Sequence, residues 1–422
     1  MSKANPLDKW WDTHWTLRQK VLIINNSPDT VKAGYSIMLT MNTTGDEIQD
    51  NGDDLRLLYQ DSTELDRISA NGFDSPVTVI WFALRNNIPP NAEDTTDYYV
   101  YYGNSIPTSP LNDPAKVFYF FDDFNDNSFD TTVWKAKPDD GSYAVVETSG
   151  VLTVVKPNAE NHRGHTYLQT TLPPSRKFLI ENRALHHEFK DSYGGEYTTD
   201  IYTTSDPEQP GGTGGLYSLS FHQIGNGEYV LLYHDSLATT THWNGASWVA
   251  AGPGDNPRIP GNWDTISFKI EEIQSVGDSF RLMLTKPQMS ETTNWVPWDI
   301  TLNADSGFPN WLVIHSKNQF FNQSHHFDYV LIRDFVLTEP STGLEQVESF
   351  KCGDANGDTL FALSDVIYVV NYIFKPPWPI PAYYKSGDVN ADGIITLSDV
   401  ICMVNCIFNK PSCSICWMGC IP

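Results

Sequence analysis

The sequence predicts a mainly β protein: two antiparallel β-sandwich or jelly-roll domains, followed by a small α-helical module. Three observations carry that expectation. Residues 10–338 are short β-branched or aromatic runs broken by Gly, Asn, Asp and Pro. Near the end, "GDANGDTLFALSD" and "GDVNADGIITLSD" say nearly the same thing twice, each followed by an apolar run of helical period. All six cysteines lie at or after residue 352. The expected boundaries are 1–116 for the first sandwich, 117–338 for the second, 339–351 for a polar linker, 352–410 for the helical module and 411–422 for a Cys-rich tail.

In the first segment, "KVLIINN", "YSIMLTM", "DDLRLLYQD", "VTVIWFAL" and "DYYVYYGN" each read as a strand. Trp10, Trp11 and Trp15 suit either stacking on a sugar or plugging the sandwich edge. The strings "WWDTHWTLRQKVLIIN", "GDDLRLLYQDSTELD" and "YYVYYGN" resemble a domain of unknown function found in secreted bacterial and archaeal proteins. That resemblance covers most of residues 10–104 and implies an architecture but no chemistry.

The second segment opens with "FYFFDDFNDNSFDTTVWKA" and closes with "FDYVLIRDFVL". Both strings resemble concanavalin-A-like, or laminin-G-like, jelly rolls. Related glycoside hydrolases place two carboxylates around the scissile bond, in the laminarinase-like family as E-x-D-x-x-E on one strand. No complete copy of that signature exists here, and no catalytic residue is assigned. Trp243, Trp248 and Trp263 lie in or beside polar loops, where aromatic faces over a rigid sandwich suit carbohydrate stacking. The alternative is that these rings cover the core. Sequons at Asn25, Asn42 and Asn322 permit glycosylation in an exporting cell.

Each repeated stretch reads as a twelve-residue calcium loop. The first offers Asp354, Asn356 and Asp358 at positions 1, 3 and 5, the carbonyl of Leu360 at position 7, and Asp365 at position 12. The second offers Asp388, Asn390, Asp392, the carbonyl of Ile394, Thr396 at position 9, and Asp399. A hard cation wants six to eight oxygens, and alternate positions of a tight loop can aim them inward. The expected cofactor is therefore two calcium ions. The first site is expected to bind more weakly, because Thr359 replaces the position-6 glycine (Gly393 in the second loop) and Ala362 offers no oxygen at position 9. Val366, Ile367, Val370, Ile373 and Phe374, and the matching Val400, Ile401, Val404, Ile407 and Phe408, are expected to pack as two greasy helix faces.

Residues 353–410 resemble a type I dockerin domain, the duplicated calcium module that binds cohesin domains. In that family, loop positions 10 and 11 set partner choice; here they are Leu363–Ser364 and Leu397–Ser398. The leucine departs from the Ser-Thr pair of cellulosomal members. The resemblance thus implies docking onto either a cohesin-like domain or a neighbouring identical subunit, the latter producing a helical filament if the contact does not close. "KPPWPIPAYYKS" reads as a connector between the helices.

Cys352, Cys402, Cys406, Cys413, Cys416 and Cys420 are disulfide candidates, an even count in a small module favouring an oxidising compartment. The "CSIC" spacing and the i, i+4 pair Cys402/Cys406 leave a zinc-type site as an alternative. The acidic balance, 52 acidic against 27 basic residues, disfavours a nucleic-acid partner. No apolar run is long enough for a membrane span, and no signal peptide is visible at the start. The functional expectation is a non-catalytic extracellular or cell-surface assembly protein. A carbohydrate-binding module on a cohesin scaffold and a glycoside hydrolase are the alternatives.

Overall fold

In a computed structural model, the backbone is described for residues 10–70, 72–138, 144–156, 162–170, 177–185, 195–203, 218–224, 228–234, 240–243, 248–250, 256–257, 263–273, 277–286, 289–292, 296–298, 310–318, 323–390 and 392–408; side chains are described over 10–70, 72–134, 145–153, 178–183, 326–390 and 392–408. The chain forms two compact units: Met1–Val117 together with Val336–Pro422, and Phe118–Phe335.

The first unit is a sandwich with the helical module built onto it. Its strands are β1 (Leu17–Ile24), β2 (Ser36–Met41), β3 (Arg56–Tyr59), β4 (Thr63–Leu65), β5 (Ile68–Ser69), β6 (Thr78–Ala83), β7 (Glu93–Asp94) and β8 (Tyr98–Tyr102). One sheet runs Ser341–Leu344, β1, β8, β3, β4, with β7 and Glu348–Ser349 also paired to β1; the other runs β2, β6, β5. All these pairings are antiparallel. The period-2 pattern does the sorting. Val21 and Ile23 of β1, Ile37 and Leu39 of β2, Ile80 and Phe82 of β6, and Tyr98 and Val100 of β8 point into one buried core. Each such side chain contributes about 1.5–3 kcal/mol by leaving water.

One expectation changes here. Residues 339–351 are not a free linker: Val21 pairs with Leu344 and Arg18 with Glu348, so this stretch adds strands beside β1. Strand β8, "YYVYY", is buried on both faces. Tyr98, Val100 and Tyr102 face the core, while Tyr99 and Tyr101 pack with Trp10, Trp15, Leu58 and Phe350 in a second cluster on the outer face of the sheet. Trp10 and Trp15 are thus buried structural rings, with both indole N–H groups donating to backbone carbonyls. The sequon at Asn25 is also closed. Its side chain is buried and its Nδ2 donates to the carbonyls of Asp29, Ile88 and Pro89. Asn42 is exposed, and Asn322 lies outside the described residues.

The second unit is two antiparallel sheets, each of nine strands among the described residues. One is ordered Trp134–Pro138, His162–Thr170, Asn310–Asn318, Gly195–Thr203, Ser218–Ile224, Glu228–His234, Thr240–Trp243, Trp248–Ala250. The other is ordered Ala144–Thr148, Val151–Lys156, Gln323–Asp334, Lys177–Leu185, Trp263–Ile273, Gly277–Lys286, Met289–Thr292. Trp134 is fully buried against Phe120 and Phe124, and its indole N–H donates to Asp122 at 2.6 Å.

Beside that ring, Asp126 and Glu147 share the backbone N–H of Ser128. Burial, helped by Asp126, pushes the Glu147 carboxyl up to about 7. A carboxyl raised on folding contributes stability that is present below its ordinary value of 4.5 and lost as pH climbs through 7. The thermal midpoint of this unit is therefore expected to fall between pH 4.5 and 8, and Glu147→Gln to flatten that slope. An unchanged slope in the variant would exclude Glu147 as the group responsible.

Candidate metal centre

Among the described residues, three helices shape the C-terminal module: α1 (Leu363–Phe374), the short α2 (Tyr384–Gly387) and α3 (Leu397–Ile407). Each long helix is launched from an acidic loop, and the loop is wound by its own carboxylates. In the first, Asp354 accepts the backbone N–H groups of Gly357 and Asp358 on Oδ1 and of Thr359 on Oδ2, at 2.8–3.0 Å. Asp365 accepts from Asn356 at 3.1 Å and from Ala362 at 2.8 Å. The second loop repeats the design. Asp388 accepts from Asp392 and Gly393 at 3.1 and 2.9 Å, and Asp399 from Asn390 and Thr396 at 3.2 and 2.8 Å. Asn356 and Asn390 each donate to the position-5 carboxylate, Asp358 or Asp392, at 3.0 Å.

The donor set fits a hard divalent cation. Asp354, Asp358 and Asp365 bring one oxygen each within 4.8 Å of one another. Asp365 and Asp399 are fully buried. Burial also pushes the carboxyls of Asp354 and Asp388 up, with the position-12 aspartate of each loop adding to the effect. A cation among these oxygens would remove that cost. Leu360 and Ile394 expose their side chains, leaving only their carbonyls as donors. Position 9 differs as its chemistry dictates. Thr396 caps α3 by accepting the N–H of Ser398 at 3.2 Å, whereas Ala362 gives α1 no side-chain cap.

Position 6 is where the loops part company energetically. Gly393 sits at φ 86°, and Thr359 is held in the same left-handed region at φ 67°. A β-branched residue there is strained, at a cost of about 1–3 kcal/mol. Thr359→Gly is expected to tighten calcium binding by the first loop by roughly 5-fold, which is about 1 kcal/mol. Calorimetric titration of the variant against the parent chain checks this. Equal affinity would remove strain as the reason for a weaker first site.

The helix faces are arranged differently from the expected stripe. Val366, Val369, Cys402 and Met403 are the buried residues that join α1 to α3, with Val400, Val404, Ile373 and Ile407 partly buried against them. Ile367, Phe374, Ile401 and Phe408 point outward instead. Val366, Val369 and Ile373 keep the i, i+3, i+4 progression, and residues 367 and 374 fall off it by one position. With Leu363 and Leu397 they form two matched exposed sets: 50% and 50% at the leucines, 60% and 59% at the isoleucines, 60% and 60% at the phenylalanines. Ser364 and Ser398 are exposed beside them.

Cys352, Cys402 and Cys406 are disulfide-bonded. Cys413, Cys416 and Cys420 lie outside the described residues. Trp243 ends one strand, Trp248 begins the next, and the two stand opposite each other in register; Trp263 begins a third strand. Their side chains, the carriers of any sugar contact, lie outside the described residues.

A family model described as a domain of unknown function, DUF2341, matches residues 51–137. No curated protein matches the chain. Among solved structures, an endo-1,3-β-glucanase from Streptomyces sioyaensis is 12% identical, with 51% of this chain and 95% of that one covered at a TM-score of 0.35. The laminarinase catalytic domain from Thermotoga maritima is 12% identical over 52% of this chain and 98% of that one, at 0.36. The carbohydrate recognition domain of Emp47p is 10% identical over 51% and 94%, at 0.34.

Proposed function

We propose that this is a non-catalytic extracellular surface or assembly protein whose C-terminal module, loaded with two calcium ions, docks onto a partner β-sandwich. The observation that carries the reading is the duplicated exposed surface. Leu363, Ile367 and Phe374 on α1 are matched residue for residue by Leu397 and Ile401 on α3 and Phe408 at its C-cap, at nearly equal exposure. Large apolar side chains clustered on a small charged module are the signature of a recognition face. Calcium fits the reading because the first loop brings Asp354, Asp358 and Asp365 close together, and in both loops neighbouring carboxylates repel, a repulsion that a cation would relieve. The disulfide-bonded cysteines support an oxidising, extracellular setting, and among the described residues no helix is long and apolar enough to cross a membrane.

Sedimentation and electron microscopy of the pure chain, with millimolar calcium and with chelator, test the reading. Calcium-dependent polymers would identify the neighbouring subunit as the partner. A monomer that instead binds a cohesin-like sandwich in calcium would identify a scaffold. Leu363→Asp with Leu397→Asp should abolish either association while leaving calcium binding intact. Association unaffected by that pair of changes would overturn the assignment of this face.

A further inference from the structure

The module is not held to the sandwich by its chain connection alone. The outer face of the β1–β8–β3 sheet carries Arg18, whose guanidinium lies 4.7 Å from the ring of Trp10, 5.0 Å from Tyr99, 5.8 Å from Tyr101 and 5.4 Å from Tyr383. Three of those rings belong to the sandwich, and Tyr383 belongs to the module. Trp10 meets the Tyr383 ring edge-on at 4.9 Å and lies 5.4 Å from Phe350. Lys385 donates to the carbonyl of Trp11 at 2.9 Å, and Tyr383 Oη reaches Glu348 at 3.4 Å. The stretch "KPPWPIPAYYKS", expected to be only a connector, thus supplies the docking residues.

The same residues lead directly into the calcium loops. Tyr383 caps α2, which ends at Gly387, immediately before the position-1 ligand Asp388. The hydroxyl of Tyr384 donates to the carbonyl of Gly393 and accepts the N–H of Ile395, both at 3.3 Å in the second loop. On the other side, Phe350 is buried in the sandwich cluster, Cys352 packs against both the sandwich cluster and the helix core, and Asp354 follows two residues later. The two anchors are tied to each other: Gly353 N–H donates to Ser386 at 3.1 Å, and Ala382 N–H donates to Ala355 at 3.0 Å. Each position-1 carboxylate is therefore placed by backbone whose neighbours are clamped on the sandwich.

We propose that calcium binding by the two loops and the seating of the module on the sandwich are one coupled equilibrium, with Trp10, Arg18 and Tyr383 as its positioning residues. This rests on the reading that the loops bind calcium. Coupling is reciprocal: an ordered sandwich face pre-forms the loops, and calcium in the loops protects the sandwich face.

Two measurements on the full chain test it. Hydrogen exchange with calcium and with chelator is expected to show calcium slowing exchange in Leu17–Ile24 and Tyr98–Tyr102 as well as in the module. Protection confined to residues 352–408 would overturn the proposal. In calorimetric titration, Trp10→Leu, a change far from the loops in sequence, is expected to weaken calcium binding by about 5-fold or more. Trp10→Phe should restore most of that affinity. Leu39→Ala, in the sandwich core away from this face, should leave it within about 2-fold. Equal weakening by Leu39→Ala would mean that general instability is being read, and would overturn the specific role of Trp10. If the parent chain takes up no calcium at all, the reading beneath the proposal fails, a result distinct from calcium bound without protection of the sandwich.

Discussion

Arg18→Met is expected to destabilise the first unit by about 3–5 kcal/mol, the cost of removing one partner from a buried ion pair. Arg18 is 1% exposed. It donates to Glu348 at 2.7 Å, to Asp61 at 3.1 Å and to the Tyr101 hydroxyl at 2.9 Å. Burial works against the charged guanidinium, but Tyr101, Asp61 and Glu348 outweigh it and hold the charge in place. Methionine fills much of the space and keeps the contact with the rings, so packing is largely preserved. What it cannot do is satisfy Asp61, which is left buried with the Tyr101 hydroxyl as a donor at 2.7 Å.

The consequence has a sign that a pure packing loss lacks. Asp61 already has its carboxyl pushed up by burial, with Arg18 opposing. Without Arg18 it rises further, and a raised carboxyl contributes stability at low pH that is lost as pH increases through its folded value. The deficit of Arg18→Met should therefore be smaller at pH 4 than at pH 8, and Asp61→Asn in the same chain should recover part of it. Thermal unfolding at the two pH values measures this. A deficit that is the same at both would refute the ion pair as the reason Arg18 is buried.

Arg18 also marks the limit of what the sequence reveals. The strands β1, β2 and β6 are legible because burial on one face imposes a period of two on neighbouring residues. The candidate ligand positions of each loop are legible because they fall within one twelve-residue stretch, 354–365 or 388–399. The partner of Arg18 is not, because Glu348 lies on the far side of the whole second unit in sequence. No local period announces such a pairing. The same holds for residues 339–351, whose polar composition suggests a linker and whose strands exist only because β1 offers them an edge. "YYVYY" announces a strand, but its second buried face needs Trp10, Phe350 and the module to cover it. The outward turn of Ile367 and Phe374 was within reach of the sequence, since a strict 3.6 period through Val366, Val369 and Ile373 already leaves them off the stripe.

Asp365→Ala is expected to cost calcium affinity at the first loop at least about 100-fold. Losing a hydrogen bond behind a metal ligand already costs about 10–100-fold, and Asp365 stands at the position whose carboxylate can close the shell with two oxygens. The change should also be felt without calcium. Asp365 is fully buried, and it satisfies the N–H of Asn356 inside the loop and of Ala362 at the start of α1. Leaving two such donors without their acceptor costs about 1–3 kcal/mol, or roughly 2–4 °C of melting temperature per kcal/mol in a unit of this size. Asp358 separates the two effects. It is an exposed member of the same carboxylate cluster, so Asp358→Ala should weaken calcium binding while leaving the melting temperature in chelator close to that of the parent chain. Asp365→Ala should lower it in chelator and calcium alike. The result that would defeat this view is an Asp365→Ala chain that binds two calcium ions as tightly as the parent. The buried carboxylate would then be a helix cap and nothing more, and the first loop would owe its shape to α1 rather than to a metal.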